Sequence, residues 1–94
     1  MKPFEWNEEK NQKLKKQRAI SFKEVLIAQK EGRWLDVLDH PNKKRYANQK
    51  IAIVAIKGYA YIVPFVEDEE KLFLKTMIPS RKMTKKYLKG GEKA

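Results

Sequence analysis

Alternating apolar and polar positions divide the chain into eight segments. Residues 2–6 (KPFEW) place Phe4 and Trp6 on one side and Pro3 and Glu5 on the other. This predicts a short strand with a proline at its start, where a missing N–H does little harm. Asn7 is the candidate N-cap of a following helix, and Glu8 and Glu9 occupy its first turn, where the helix dipole favours acids. That helix, EEKNQKLKKQR, has Leu14 as its only large apolar residue and is expected on the surface. Ser21 to Glu24 (SFKE) reads as a capping box, with Ile20 and Val25 as its hydrophobic staple. The helix it opens carries Phe22, Val25, Leu26 and either Ala28 or Gln29 on one face, and Gly32 is placed to end it.

From Trp34 the period becomes two. WLDVLD sets Trp34, Asp36 and Leu38 against Leu35, Val37 and Asp39, and Pro41-Asn42 then turns the chain. Residues 51–56 (IAIVAI) are apolar on both faces, as a central strand requires. Gly58 makes a tight turn into YAYIVPFV, where Pro64 implies a bulge or an unpaired N–H position. The acids at 67–70 form a solvated hairpin tip. In KLFLKTMI, Leu72, Leu74, Thr76 and Ile78 face one way and Lys71, Phe73, Lys75 and Met77 the other. Pro79 stops this strand, and Thr84 is placed to cap a short helix, KKYLK, which Gly90-Gly91 ends. The order is β-α-α-β-β-β-β-α. It predicts an α+β domain over 1–94, a mostly antiparallel sheet with two N-terminal helices on one face and a short C-terminal helix.

Length and charge narrow the function. Ninety-four residues bury one small core. Twenty-two Lys and Arg against 12 Asp and Glu give +10, a field that favours polyanionic partners. With no cysteine and one histidine, a disulfide scaffold and a Cys/His zinc site are both excluded. The stretch from Gly58 to Val66 is too short to span a bilayer, and acids stand in MKPFEWNEE where a signal peptide needs an apolar run. A cytoplasmic protein with no membrane partner is expected.

The positive charge is clustered. Fourteen of the 22 basic residues lie in 10–18, 43–50 and 81–89, segments expected to converge on one rim of the sheet. Tyr46 and Tyr87 are interleaved with them, and aromatics among cations suit RNA, whose bases stack while its phosphates meet the charges. The alternative is a solvated basic surface.

With these elements placed, the chain resembles the BrnT family of bacterial type II toxins. FEWNEEKN at Phe4–Asn11, followed by ISF at Ile20–Phe22, is similar to the family's F-E-W-D-x-x-K-N and K-H-G-V-S-F-E-E. IPSRKMTKKY at Ile78–Tyr87 resembles the family's I-S-A-R-x-A-T-x-x-E-R ending. The likeness covers nearly the whole chain. It implies a RelE-like fold and a metal-independent, cofactor-free endoribonuclease that blocks translation. It also implies an antitoxin of the BrnA type, a ribbon-helix-helix protein with an acidic toxin-binding segment. The toxin alone would be a monomer or weak dimer, assembling further through a dimeric antitoxin. The chain departs from the family at Gln17-Arg18-Ala19, where Lys-His-Gly is usual, and at Tyr87, where an acid is common.

RNA cleavage without a metal needs a base for the ribose 2′-OH, cations for the phosphorane and an acid for the leaving 5′-oxygen. Arg81 matches the family's arginine after the last strand and is the first candidate for the phosphate clamp, since guanidinium grips two oxygens; otherwise it packs on Tyr87. Arg45 is a second catalytic candidate. His40 is of the residue type suited to proton transfer near neutral pH, or else simply precedes the turn at Pro41. Tyr87 is a candidate because RelE-like toxins use a C-terminal tyrosine, here near Lys85 and Arg81 in sequence. Candidate RNA contacts are Lys10, Lys15, Lys16 and Arg18 on the first helix, Lys43, Lys44 and Tyr46 in the loop, Lys75 on the last strand, and Lys82, Lys85 and Lys86 near the C-terminus. Phe73, between Lys71 and Lys75, is placed to stack a base. Three functions compete: a toxin ribonuclease, a non-catalytic binder of RNA or the ribosome, and a degenerate toxin that only binds its antitoxin.

Overall fold

From Ala52 to Ile56 both faces of strand β3 (Gln49–Ile56) are buried, which is why AIVAI has no polar position. The computed structural model describes residues 2–89. Around β3 the chain forms β1 (Phe4–Trp6), α1 (Glu8–Arg18), α2 (Phe22–Lys30), β2 (Trp34–Asp39), β4 (Tyr59–Glu67), β5 (Leu72–Leu74), β6 (Ile78–Pro79) and α3 (Arg81–Thr84), which continues as a π-helical stretch over Lys85–Lys89. The class is α+β, with three helices and a mixed six-stranded sheet among the described residues. Strand order is β1-β5-β4-β3-β2, β6 pairs with β4, and only β1–β5 is parallel.

Helices α1 and α2 cover one face. Leu14, Ile20, Phe22, Val25 and Ala28 pack there against Ala52, Val54, Ile56, Val63, Phe65, Leu74 and Met77. Phe4, Trp6 and Trp34 close the margin, with the Trp6 and Phe22 rings stacked at 5.8 Å. Ile53, Ala55 and Ala60 face the other way, where the C-terminal helix packs on β4. At the β3–β4 turn Lys57 and Gly58 both have positive φ, as a two-residue hairpin turn of this hand requires.

Local signals are met in part. Asn7 caps α1, its side chain accepting from the Lys10 N–H at 3.0 Å, and Gly32 follows α2 with φ +74°. The SFKE capping box does not form: Ser21 makes no side-chain cap bond. The Glu24 N–H bonds the Ser21 carbonyl instead, and Asn11, 4% exposed, satisfies a different free donor of the first turn, its Oδ1 accepting from the Phe22 N–H at 2.9 Å. Its amide in turn donates to Glu8, which also accepts from Trp6 Nε1 and Gln12. These bonds hold the Glu8 carboxyl below its usual range, the Gln12 contact most.

Two register breaks overturn the simple alternation. An irregularity between Trp34 and Asp36 puts Trp34 on the helix-covered face while Asp36 faces the opposite side. The expected strand over 71–78 is two strands. Phe65 pairs with Leu74 but Ile62 with Ile78, so one extra residue enters the second segment and its faces invert. Met77 therefore enters the core beside Leu74, and Ile78 is left 46% exposed. Pro79 is the last residue of β6, so the strand ends on it. Pro64 needs no bulge in its own strand. Its carbonyl accepts from Lys75 N–H at 2.9 Å, so its nitrogen points into the gap between β5 and β6, where no donor is needed.

The C-terminal helix starts earlier than expected. Ser80, not Thr84, caps it by accepting from the Met83 N–H. Thr84 is buried inside the helix, donates to the Ser80 carbonyl and accepts the Ala60 N–H at 2.9 Å, which fastens the helix to β4. The expected stop at Gly90-Gly91 lies outside the described residues.

Replacing Asn11 by Ala orphans the buried Phe22 N–H and is expected to cost about 1–3 kcal/mol in urea melts, whereas Ser21→Ala should cost only a few tenths, roughly the surface level. Equal losses would refute the Asn11 cap. Ala19 has φ +57° at the end of α1, so Ala19→Gly is expected to stabilise by about 0.5–1 kcal/mol in the same measurement.

Candidate nucleic-acid interface

The loop between β2 and β3 folds on its own hydrogen bonds. Asn42 is the organiser: its side chain accepts from Arg45 N–H, its carbonyl accepts from Tyr46 N–H, and its own N–H donates to His40 Nδ1 at 3.0 Å. The His40 N–H donates to the Gln49 carbonyl and closes the loop onto the ladder. The Asn42 contact occupies Nδ1 as an acceptor, so the neutral ring carries its proton on Nε2, as a donor toward a ligand. The His40 and Tyr46 rings lie 4.3 Å apart, and the Arg45 guanidinium sits 5.5 Å from the Tyr46 ring centre.

Two adjoining grooves flank this loop on the face opposite α1 and α2. One, about 310 Å³, is lined by His40, Gln49, Ile51, Pro64, Lys75 and Thr76. The other, about 410 Å³, is lined by Lys44, Arg45, Tyr46 and Val66 among others, and shares Gln49 and Lys75 with the first. The first has a mainly apolar floor of Ile51 and Pro64, the second sets Val66 among polar groups, and both rims are cationic, a combination that suits a base on a flat surface with phosphates at the edge. Lys75 reaches the rim because it follows inward-facing Leu74 and continues the β5 register, its N–H bonding the Pro64 carbonyl, which turns its side chain to the groove face.

Comparison with family models, curated proteins and solved structures finds no match for this chain. Its chemistry is read from its own geometry. Among the described residues no group of three or more His, Asp or Glu side chains could hold a metal, and no helix is long and apolar enough to cross a membrane.

The predicted site residues divide into separate sets rather than meeting on one rim. His40, Lys44, Arg45, Tyr46 and Lys75 meet at the grooves. Lys43, in the same loop, pairs with Asp39 at 3.2 Å on the surface. Arg81 and Lys85 line a different cleft of about 350 Å³ with Tyr59 and Thr84. Tyr59 and Pro64 are five residues apart on β4, roughly 17 Å of strand, so Arg81 and His40 do not act on one phosphate. Lys10, Lys15, Lys16 and Arg18 are exposed on α1, across the sheet from the grooves. Arg18 opposes the upward pKa shift that burial gives the Tyr61 phenol. Lys82 is exposed on α3.

Tyr87 has a different partner from those expected. Its hydroxyl donates to Asp36 Oδ2 at 2.7 Å, with the Lys86 ammonium 5.4 Å from its ring centre. The bond to Asp36 raises the phenol pKa above its ordinary 10.0, the opposite of activation as a base. The same bond lowers the Asp36 carboxyl below its ordinary 3.8, helped by the Val37 N–H. Sequence reasoning missed Gln49, Thr76 and Pro64 in the grooves and Tyr59 in the cleft. Pro64 inside a strand and the polar Gln49 ahead of IAIVAI were the available signals.

The Tyr87–Asp36 bond has a defined pH window. Asp36 is favoured ionised in the fold, so its contribution is complete above 3.8 and lost as pH falls through the depressed folded value. Tyr87 is favoured protonated, so its contribution is complete below 10.0 and lost as pH rises through the raised folded value. The stability difference between the native chain and Tyr87→Phe should be constant through neutral pH and shrink in strong acid and strong alkali. A difference that persists in strong acid rules the bond out.

Proposed function

We propose that this chain is an RNA-cleaving toxin of the BrnT type, with a RelE-like arrangement of its α+β fold, acting in a bacterial cytoplasm and held in check by an acidic antitoxin segment. The observation that carries the proposal is the meeting of His40, Lys44, Arg45, Tyr46 and Lys75 around the two adjoining grooves. The charge of +10 supports an anionic substrate and an acidic neutralising partner alike. The ribbon-helix-helix form of that partner rests on the family resemblance alone.

In this reading a water takes the ribose 2′-OH proton as the 2′-oxygen attacks the adjacent phosphorus, while His40 Nε2–H, fixed by the Asn42 bond at Nδ1, donates to a phosphorane oxygen. Arg45 and Lys75 neutralise the phosphorane charge. The P–O5′ bond breaks, the leaving 5′-oxygen takes a proton from the Lys75 ammonium, and that proton is regained from water. A 2′,3′-cyclic phosphate and a 5′-hydroxyl result. Tyr46 stacks a neighbouring base. Arg81, roughly 17 Å along β4 from the groove, is outside this centre.

The second reading is an RNA binder without catalysis. It is favoured by the dispersal of the catalytic candidates, since Tyr87 is bonded to Asp36 and Arg81 lies in another cleft. Induced expression with primer extension on total RNA separates the two. Cleavage with growth arrest is expected, and His40→Ala should slow cleavage about 10²-fold or more while RNA affinity changes little. Arrest with intact RNA selects the binder, and no arrest from folded protein selects a degenerate toxin.

A further inference from the structure

The segment from Lys75 to Arg81 joins two cationic clefts. Its start, Lys75 and Thr76, lines the groove beside His40. Its end, Arg81, lines the cleft of about 350 Å³ with Tyr59 and Lys85. The two openings are separated by roughly 17 Å along β4. Between them stands Ile78, 46% exposed although it belongs to the sheet. Its partner across the ladder is Ile62, on the face opposite the helix-covered core, the face that also carries Ile51 and Pro64 of the groove floor.

Each feature is costly or idle in isolation. A half-exposed isoleucine gains little from its position, and its exposure is the outcome of the one-residue register change that sends Met77 inward. Arg81 and Lys85 stand together at the mouth of that cleft, and neither is in an ion pair with another described residue. Two such cations form an electrostatic site for a phosphate. Cations at both ends, an apolar step between and an aromatic at the groove end (Tyr46) make a linear pattern.

We infer that the two clefts are the ends of one track for single-stranded RNA, with Arg81 and Lys85 as a remote anchor for the strand whose other end lies in the His40 groove. The inference rests on the RNA reading above and extends it from a local site to a footprint. The track takes a flexible single strand of about four nucleotides or more, at the lower end of what basic single-strand grooves accommodate. A base stacks on Tyr46 and the strand crosses Ile78, while the backbone meets Lys75 at one end and Arg81 with Lys85 at the other. The anchor contributes affinity and not chemistry, because it lies too far from His40 to touch the scissile phosphate.

The test is fluorescence anisotropy with oligouridylates from about two to about eight nucleotides long, a range that spans the footprint. Affinity should rise steeply up to about four or five nucleotides and then level off. In the Arg81→Ala/Lys85→Ala double variant the long oligomers should lose roughly tenfold and their log–log salt slope should fall by about 1.4, while the dinucleotide is unaffected. Ile78→Ser should weaken long oligomers only, and Lys75→Ala should weaken long and short alike. Circular dichroism checks that each variant is folded. If the double variant weakens short and long oligomers by the same factor, or neither, there is no track, though the groove reading survives. If the native chain binds no oligomer of any length, the RNA reading itself fails.

Discussion

The buried side chain of Asn11 accepts the first free N–H of α2 and donates to Glu8, which accepts in turn from Trp6. Three elements that are consecutive in sequence but point in different directions are thereby tied at one place. A buried N–H left without a partner is costly, and here the partner comes from a helix that has almost nothing else to bury. With α2 held at that angle, Phe22, Val25 and Ala28 reach the sheet and one face is closed. The opposite face is left to the C-terminal helix and to whatever the protein binds.

That opposite face is shaped by a proline and one extra residue. Pro64 has no N–H to offer the edge beside β4, and the neighbouring strand is interrupted there, its Lys75 N–H still reaching the Pro64 carbonyl. The interruption inverts the faces beyond it. It buries Met77 and exposes Ile78, while Lys75, still in the β5 register, faces the grooves. A residue that disfavours a regular ladder thus coincides with an opening in the sheet surface, because a sheet closed on both sides would leave no concavity.

Charge alone does not make the site. Lysines on α1 and α3 are as basic as those at the grooves, but they project into solvent without an adjoining floor. The groove cations stand beside Ile51, Pro64 and Val66 and around the His40–Tyr46 pair, where a ligand loses water as it binds. Tyr87 shows the converse: a phenol amid cations in sequence is committed in the fold to a carboxylate, Asp36, fifty-one residues away.

The sequence by itself determined what depends on near neighbours. The period-two run located β2, Asn7 and Gly32 marked helix ends, and the uninterrupted apolar run of IAIVAI placed β3 inside the sheet, where it pairs with both β2 and β4. The α+β class followed from the order of these elements. Only the tertiary structure decided which distant groups complete a local motif. Ser21 had the right neighbours for a capping box, yet its side chain makes no cap bond and the Phe22 N–H is taken by distant Asn11, and Thr84 became an anchor for Ala60 while Ser80 took the cap. It also decided register past Trp34 and Leu74, since a one-residue slip changes no local preference but reverses every face beyond it. The candidate site falls in the second class. His40, Arg45 and Lys75 were legible as residue types, but their meeting, and the separation of Arg81 from them, are long-range consequences of how β4 pairs with its neighbours on either side.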